Sequence, residues 1–464
     1  MNLLRFSVGF LVVFLLMVGV LASAEEAAGD WIGQLDGGFK VRIHISKVGS
    51  GYAGYLTNPS GNQTDLDQVA SDGSHLHFAV TKLNLIYDGV WNAQQGAWAG
   101  NLTFQQVYQL SLKRALAANL APDVHKRPQE EAIAASSLPY EQKGVDFENP
   151  STHNRLAGTL STPPGTGPFP AIVLISGTGH NTRDEDVWGH KVFMVLADAL
   201  TRRGIAVLRY DKRGVGGSSG NFDTATTSDF ASDAHAAASW LRTQLNIDTK
   251  RVGLLGHSEG GIIAPMVAAV DNKIAFVVMI AGPALRGDKL FVLQSAMTAR
   301  AYGAPDDYIA HRKAFDQRLY DAIIAAPSDM EARKSAERIV AEGVTEKLVD
   351  QSEAESLAGD DTTAWERYFL AYDPAPTLSQ LSIPIFAIYG SLDVQVPANE
   401  DLAAANSALK NNSKATLVML PGKNHLLQDA KTGAPNEYNN IDETMAPVAL
   451  NLIVDWVTRN TAEN

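Results

Sequence analysis

The turn between one apolar run and the small-residue helix after it carries a serine flanked by glycines. Residues 254–264 read LLGHSEGGIIA, which puts Ser258 in a G-x-S-x-G pattern with a strand–turn–helix context. Gly256, Gly260 and Gly261 lack a Cβ, so neighbouring backbone can pass close to the serine. A helix that starts just after the serine points its amides and the positive end of its dipole at the reacting group. We therefore predict that Ser258 is a catalytic nucleophile rather than part of an ordinary glycine-rich turn.

A serine hydroxyl is a weak nucleophile until a base removes its proton, so a histidine and an orienting acid are needed. With this kind of turn, the partners follow in the chain order serine, acid, histidine, each in a loop after a strand. Asp393 is the first acid after the apolar run 384–390, and His425 lies in the loop after the next such run. The pattern predicts a Ser258–His425–Asp393 triad. Asp429 is the nearest rival acid, but it follows the histidine and so departs from that order.

Two backbone amides are expected to hold the negative oxygen that forms when the serine attacks a carbonyl group. One is the amide of the residue after the nucleophile, Glu259. The other comes from the loop after the early apolar run 171–175, where Ser-Gly-Thr-Gly brings the Thr178 amide close, with Gly179 as the next choice. Thr178 and Glu259 are therefore predicted to form the oxyanion hole.

Short apolar runs alternate with helical patterns from about Tyr140 onward, and such runs are typical of buried parallel strands. They lie at 171–175, 206–210, 252–255, 276–280, 385–389 and 416–420. The alternation predicts right-handed βαβ units and a mostly parallel sheet with helices on both faces. Residues 284–373 replace it with Ala-, Glu- and Arg-rich helical spacing. We interpret this stretch as a helical cap inserted over the C-terminal edge of the sheet.

The chain before residue 139 has a different pattern of residue types. Residues 25–114 alternate apolar and polar side chains between turn clusters, which predicts a small all-β domain of sandwich or barrel-like form. Residues 115–138 are rich in Ala, Pro and charge and are interpreted as a linker to an α/β domain at 139–464, with an isolated helix in this segment as the alternative. Residues 1–24 have one arginine, an apolar stretch and a final Ala-Ser-Ala, the pattern of a cleaved signal peptide. An uncleaved anchor is the alternative, since the apolar stretch is not far short of the ~20 residues that span a bilayer.

Composition narrows the chemistry further. The 464 residues contain no cysteine, which excludes disulfides, thiolate metal sites and a cysteine nucleophile. A formal net charge of −13 argues against a nucleic-acid partner, because phosphate binding needs a basic surface. The glycine-rich stretch 214–217 matches neither the dinucleotide-binding nor the P-loop pattern, so no cofactor and no metal site are predicted. The signal pattern predicts a periplasmic or secreted protein with no stable membrane insertion after cleavage, and the oligomeric state stays open.

Several motifs together resemble the α/β-hydrolase superfamily, and within it a bacterial exported subgroup of esterases and serine-aminopeptidase-like hydrolases. They are PAIVLISGTG, RDE, RYDKRG, GHSEGG, YDP, DVQVP and NH, at 170–179, 183–185, 209–214, 256–261, 372–374, 393–397 and 424–425. The resemblance covers nearly all of 140–460, and Trp-Ile-Gly at 31–33 is similar to the start of the small β domain that precedes the hydrolase in this subgroup. It implies an α/β-hydrolase fold preceded by that domain. Where relatives have Pro-Gln after the glycine of the oxyanion loop, this chain has His180-Asn181.

The sequence thus predicts an exported serine hydrolase that cleaves carboxylic esters through an acyl-enzyme, with EC 3.1.1 favoured over EC 3.4. Its substrate would be a small-molecule acyl ester or a short peptide. The main alternative is a serine aminopeptidase or dipeptidyl-peptidase-like amide hydrolase, which needs carboxylates to anchor a substrate ammonium group. The cap offers Glu331, Glu337, Glu342, Glu353 and Glu355. A non-catalytic binding protein on the same fold is less favoured, because it would be expected to lack part of the triad.

Overall fold

The computed structural model describes a chain of two compact units. The described residues are 26–35, 40–57, 63–83, 85–104, 106–116, 126–349, 354, 357–359 and 362–462. The N-terminal unit contains the described residues from 26 to 116, and the C-terminal unit contains those from 126 to 462. The predicted signal peptide at 1–24 lies outside the described residues. Over the described ranges, no helix is long and apolar enough to cross a membrane.

The N-terminal unit is a single antiparallel sheet in the order β4-β3-β2-β1-β9-β8-β7-β6-β5. Its strands are β1 (Gly29–Gln34), β2 (Lys40–Val48), β3 (Gly51–Thr57), β4 (Gln63–Asp65), β5 (Gln68–Ser71), β6 (His75–Val80), β7 (Leu85–Asn92), β8 (Ala97–Phe104) and β9 (Gln106–Arg114). The link between β4 and β5 joins the two edges: Leu66 N–H donates to β3 and Asp67 N–H donates to β6, each at 2.9 Å. The sheet therefore curls into a barrel-like form.

The core of this sheet is aromatic. Trp31, Trp98, Tyr87 and Phe78 are fully buried. The rings of Trp31 and Trp98 meet edge to face at 6.0 Å, and those of Phe78 and Tyr87 stack at 4.9 Å. Large rings on alternate strand positions bury much apolar area per residue, which lets a small unit without disulfides build a core.

The C-terminal unit is built on an eight-stranded sheet in the order β10-β11-β15-β12-β16-β17-β18-β19. These strands are β10 (Glu141–Asn149), β11 (Asn154–Thr162), β12 (Phe169–Ile175), β15 (Ala206–Tyr210), β16 (Ile247–His257), β17 (Val277–Ile280), β18 (Ile385–Gly390) and β19 (Ala415–Leu420). A separate short pair is β13 (Asp186–Val187) and β14 (His190–Lys191). From β15 to β19 all neighbours are parallel, whereas β10 and β11 form an antiparallel edge.

The helices of this unit cover both faces of the sheet or belong to the inserted stretch 284–373. They are α1 (Pro128–Ala135), α2 (Val192–Arg202), α3 (Thr227–Leu241), α4 (Gly260–Val270), α5 (Gly287–Ala301), α6 (Asp306–Ala325), α7 (Asp329–Thr345), α8 (Ala364–Ala371), α9 (Pro374–Ser379), α10 (Ala398–Ala408) and α11 (Pro447–Thr461). One core layer packs α3, α4 and α10 on the sheet, and the other packs α2 and α11 on its opposite face. The predicted α/β-hydrolase fold, preceded by a small all-β domain, is confirmed.

The stretch 284–373, predicted as an inserted cap, holds α5 to α8 between β17 and β18. These helices have a core of their own, with Phe315, Leu319 and Ile339 buried in it. Their apolar residues face one another as well as the sheet domain, which is how an insertion keeps its shape.

Two features of the C-terminal unit add to the sequence interpretation. The segment interpreted as a linker with an isolated helix as the alternative, 115–138, contains α1, whose Gln129 side chain bonds backbone groups of Thr444 and Met445 at 2.7–3.0 Å. The hairpin of β10 and β11 was not anticipated, because β10 is mostly exposed and polar and β11, though largely buried, lacks the continuous apolar run of the parallel strands.

Candidate functional site

Ser258 lies at a sharp turn between β16 and α4. Its backbone has a φ of 54°, in the left-handed region that non-glycine residues rarely adopt. Its N–H donates to the Ile280 carbonyl at 2.9 Å, which ties the turn to the neighbouring strand. A Cβ on Gly256 would come within 1.8 Å of the Gly260 carbonyl oxygen, so only glycine fits there. The turn is therefore held in a strained shape by its neighbours.

His425 and Asp393 are hydrogen-bonded to each other. His425 Nδ1 lies 2.8 Å from Asp393 Oδ2, and both side chains are almost completely buried. The other oxygen, Oδ1, accepts the amides of Gln395 and Val396, each at 2.8 Å. These two amides fix the carboxylate, so that it accepts from His425 Nδ1 and leaves Nε2 to act as an acceptor.

The sheet explains why the two residues lie near the serine turn. The parallel strands β16, β18 and β19 end at the same edge, and the loops after them carry Ser258, Asp393 and His425. The ring of His425 has its centroid 4.8 Å from that of His257, the residue directly before the serine. The three predicted residues thus share one edge of the sheet, while their joint catalytic role stays a prediction.

The rival acid does not contact the histidine side chain. Asp429 is exposed and pairs with Lys423 Nζ. In the described chain, the ring of His425 has Asp393 as its carboxylate partner.

The loop after β12 passes close to the serine. A Cβ placed on Gly177 would lie 3.0 Å from the Ser258 Cβ, so this loop is in contact with the turn. Asn181 Nδ2 donates to the carbonyl oxygens of Gly177 and Thr178 at 2.8 and 2.9 Å, which holds both carbonyls on one side. Within the described part of the chain, the amides of Thr178 and Glu259 donate to no protein acceptor. Their role as oxyanion donors stays a prediction.

The Glu259 side chain is the centre of a buried network that the sequence did not indicate. Its Oε2 accepts from Lys212 Nζ at 3.0 Å. Its Oε1 accepts from the Thr227 hydroxyl at 2.8 Å and from the indole Nε1 of Trp365 at 2.7 Å. Trp365 belongs to α8 of the cap, so a cap helix is hydrogen-bonded to the residue next to Ser258. Lys212 Nζ also donates to the Gly177 carbonyl at 2.6 Å.

A second buried histidine–carboxylate pair lies behind the turn. His257 Nδ1 is 3.0 Å from Glu185 Oε1, and His257 Nε2 is 3.1 Å from the backbone oxygen of His425. Burial opposes the charged imidazole, but the adjacent Glu185 carboxylate outweighs it, so the pKa of His257 lies above its usual value. The signal in the sequence is the cluster Arg-Asp-Glu-Asp at 183–186, directly after the predicted oxyanion loop.

Two more residues of that cluster, Arg183 and Asp184, form ion pairs next to the oxyanion loop. Arg183 pairs with Asp211 at 2.7 Å, and Arg209 pairs with Asp184. His180, which follows the last glycine of the oxyanion loop, packs its ring on Phe222 with centroids 3.8 Å apart.

One more buried acid lies where the chain enters the cap. Asp401 Oδ1 accepts the amides of Ala284 and Leu285 at 2.7 and 3.0 Å. Burial raises the pKa of Asp401 to about 7, and Asp393 adds to the effect.

His190 is packed between Thr444 and the Tyr438 carbonyl. The described residues contain no group of three or more His, Asp or Glu side chains arranged to hold a metal ion.

Comparison with known proteins places this chain among α/β hydrolases. Esterase EstD of Thermotoga maritima is 28% identical over 297 residues, 63% of this chain and 63% of the esterase, so less than two thirds of that relative's length is covered. An uncharacterized protein of Mycobacterium tuberculosis is 32% identical over 123 residues, 26% of this chain and 40% of its own length. A solved structure of a Pyrococcus furiosus esterase covers 70% of this chain and 93% of its own chain, at 15% identity and a TM-score of 0.44.

The family described as X-Pro dipeptidyl-peptidase (S15 family) matches residues 153–426. The matched range holds Ser258, Asp393 and His425 and runs from the antiparallel edge of the sheet to the loop after its last strand. Because that range is well over half of the sequence, this chain belongs to the S15 family.

Proposed function

We propose that this protein is a serine hydrolase that cleaves carboxylic esters through an acyl-enzyme. The observation that carries the proposal is a serine on a left-handed turn whose sheet edge also holds the buried Asp393–His425 pair. A strained, partly exposed serine and a histidine oriented by a carboxylate are the parts that activate a hydroxyl nucleophile.

In the proposed reaction, His425 Nε2 takes the hydroxyl proton as Ser258 Oγ attacks the acyl carbonyl. The amides of Thr178 and Glu259 hold the resulting oxyanion. His425 then gives the proton to the leaving alkoxide, and the C–O bond of the ester breaks. A water molecule deprotonated by His425 attacks the acyl-serine, which releases the acid and restores the serine. Asp393 keeps the ring in one tautomer and stabilises the imidazolium at both stages.

The carboxylates near the serine already have cationic partners, which supports an ester substrate over a peptide with a free N-terminus. An exopeptidase anchors the substrate ammonium with a carboxylate, but Glu259 already has Lys212, and Glu185 has His257. Of the five cap glutamates named above as candidates, the three that are described pair with cap cations: Glu331 with Lys334, Glu337 with Arg333 and Glu342 with Arg338. Glu353 and Glu355 lie outside the described residues.

Amide hydrolysis is the second candidate function, because the family is described by its X-Pro dipeptidyl-peptidase activity. The same triad would serve it, with an amine in place of the alkoxide as leaving group. A non-catalytic binding protein is the third candidate, and it would not react covalently with serine-directed reagents.

Fluorophosphonate labelling separates an enzyme from a binding protein. We expect the folded protein to take up one equivalent of the probe, and Ser258→Ala to take up none. The same substitution should lower kcat for ester hydrolysis by about 10⁴-fold or more. Labelling of Ser258→Ala at the native rate would overturn the assignment, and circular dichroism checks that the variant is folded.

Chain-length series of p-nitrophenyl esters, set against X-Pro and aminoacyl p-nitroanilides, separate the two hydrolases. We expect higher kcat/KM for the esters. A preference for the X-Pro anilides would make the peptidase the main function.

We also propose that residues 1–24 direct export and are removed. Mass determination of the mature N-terminus after expression in a bacterium with a signal peptidase tests this, and a retained segment would favour an anchor.

A further inference from the structure

The two ring nitrogens of His257 both face acceptors. Nε2 lies 3.1 Å from the backbone oxygen of His425, which can only accept, so this nitrogen must carry a proton. Nδ1 lies 3.0 Å from Glu185 Oε1. That oxygen also accepts the Gly177 amide at 2.6 Å, so it already acts as an acceptor. An ionised carboxylate oxygen can accept from both N–H groups, and the imidazolium is the form of His257 that offers a donor at each ring nitrogen.

The position of the pair in the fold is as informative as its charge. Glu185 follows the oxyanion loop, Gly177 is in that loop, and His257 is the last residue of β16 before the serine. His425 is in the loop after β19. The chain of hydrogen bonds from the Gly177 amide through Glu185 and His257 to the His425 carbonyl therefore joins three separate loops.

We propose that Glu185 and His257 are positioning residues, a buried ion pair that fixes the oxyanion loop and the loop of the catalytic histidine relative to the serine. The proposal rests on the proposed serine hydrolase function. His257 and Glu185 touch no substrate, and they act through the Gly177 amide and the His425 backbone.

The physical need for such a pair comes from the proton transfers at His425. Its side chain is held by Asp393, but its backbone could still shift, and a displacement of about 1 Å at a catalytic group can cost about 10²-fold in rate. A charged donor at the His425 carbonyl restrains that shift more strongly than a neutral one.

Glu185→Gln is the sharpest variant, because the amide keeps the shape of the carboxyl group. The Gly177 amide and His257 Nδ1 both face Glu185 Oε1. If His257 is neutral, the atom at this position in the carboxamide would have to accept from the amide and donate to Nδ1, and neither the oxygen nor the NH₂ can do both. We expect kcat for p-nitrophenyl ester hydrolysis to fall by about 10- to 100-fold, with KM changed by less than about threefold.

Glu130→Gln is a matched control in the same unit. Glu130 is also buried, its Oε1 accepts a backbone amide (Lys191, 2.8 Å) and a side-chain donor (Thr444), and its Oε2 lacks a hydrogen-bond partner in the described chain, as does that of Glu185. It lies away from the serine turn. We expect its kcat to stay within about twofold of the native value. Equal kcat for both variants would overturn the proposal, because a general loss of rigidity would then explain the change.

The protonation of His257 gives a readout that does not depend on activity. In protein labelled with ¹⁵N in its histidine rings, we expect both nitrogens of His257 to carry protons at neutral pH, with the signal assigned by its loss in His257→Gln. Only Nε2 should carry one in Glu185→Gln. A native His257 with a single protonated nitrogen would overturn the ion pair, even if Glu185→Gln fails to fold. If the native protein instead takes up no fluorophosphonate, the proposed function fails while the ring signals still test the pair.

Discussion

The two units of this protein both pair histidines with carboxylates, but they do so in opposite surroundings. In the N-terminal sheet, His77 Nδ1 lies 2.6 Å from Asp88 Oδ1, and 70% of the Asp88 side chain is exposed. In the C-terminal unit, His425 Nδ1 lies 2.8 Å from Asp393 Oδ2, and the Asp393 side chain is fully buried. The two contacts are nearly equal in length, so distance does not distinguish them.

Burial and fixation do distinguish them. An exposed ion pair contributes about 0–1 kcal/mol because water screens the charges and the side chains lose rotational freedom. The buried carboxylate is held by the amides of Gln395 and Val396, so its orientation is set before any substrate binds. A histidine–acid pair can therefore serve catalysis where backbone donors hold the acid out of water.

The architecture of each unit explains the difference. His77 and Asp88 sit opposite each other on paired strands of an antiparallel sheet, on positions that alternate with buried ones. Asp393 and His425 are buried in loops that follow parallel strands covered on both faces. Parallel sheets bury their strand ends in this way, which is why ligands bind there.

The largest expected effect comes from breaking the buried pair. In Asp393→Asn, the amide oxygen can keep the Gln395 and Val396 amides while its NH₂ turns toward His425 Nδ1. This arrangement favours the tautomer with the proton on Nε2, which cannot accept the serine proton. We expect kcat to fall by about 10³- to 10⁴-fold with the fold retained. Steady-state ester hydrolysis measures it, and a loss below tenfold would mean that Asp393 does not orient the base.

The next effect concerns a buried acid, Asp401, for which the described residues supply no ion-pair partner. Asp401 has its pKa raised to about 7 by burial, whereas an aspartate in the unfolded chain titrates near 3.8. Between these values the folded state holds a proton that the unfolded state has lost, so the free energy of unfolding falls as the pH rises through this window. The loss amounts to at most about 4 kcal/mol and is complete above about pH 7.

Asp401→Asn removes this titration, since its amide oxygen can still accept the Ala284 and Leu285 amides. We expect the native protein to lose more stability than the variant between about pH 5 and 8, by a few kcal/mol at most. Thermal unfolding at both pH values measures the difference. Parallel pH curves for the two proteins would contradict the raised pKa.

A smaller effect is expected from the contact between the cap and the serine turn. Trp365→Phe removes the N–H that bonds Glu259 Oε1 but keeps a ring to stack on Phe369, whose centroid lies 5.0 Å away. A hydrogen bond to a buried charged group contributes about 1.5–3 kcal/mol, so we expect kcat/KM to fall by roughly 10-fold.

Thr227→Val is the matched control for this contact, because it removes a second donor to the same oxygen from α3 of the sheet domain. If the bond from Trp365 positions the cap for substrate binding, Trp365→Phe changes the ranking of kcat/KM between short and long acyl esters. Thr227→Val should lower kcat/KM for all of these esters by the same factor. Identical rankings in the two variants would mean that the bond stabilises Glu259 without linking it to the cap.

The smallest effect is expected from breaking the exposed pair. Asp88→Asn should leave ester hydrolysis unchanged and alter the free energy of unfolding by about 0.5 kcal/mol or less. Chemical denaturation measures it. A loss comparable with that of a buried pair would show that exposure is not what separates the two kinds of pair.

Much of the C-terminal unit was predictable from local sequence. The run predicted at 206–210 is β15 to the residue, and that at 385–389 falls one residue short of β18. The antiparallel hairpin of β10 and β11 was not predictable in the same way. The residues of β10 are mostly exposed and polar, so this strand lacks the apolar run that marks a buried strand. Helix α1 was only an alternative to a linker in the sequence, because it is short and is held by distant residues rather than by its own apolar stripe.

The sequence by itself determined the serine turn and the order of the residues around it. Glycine spacing and apolar runs act over a few neighbouring positions, so they can be read without knowing the fold. The tertiary structure alone decided which polar groups are buried together. Glu185 meets His257 across 72 positions of the chain, and Trp365 meets Glu259 across 106. Such pairs carry no local pattern, since their energy arises only when folding removes both partners from water.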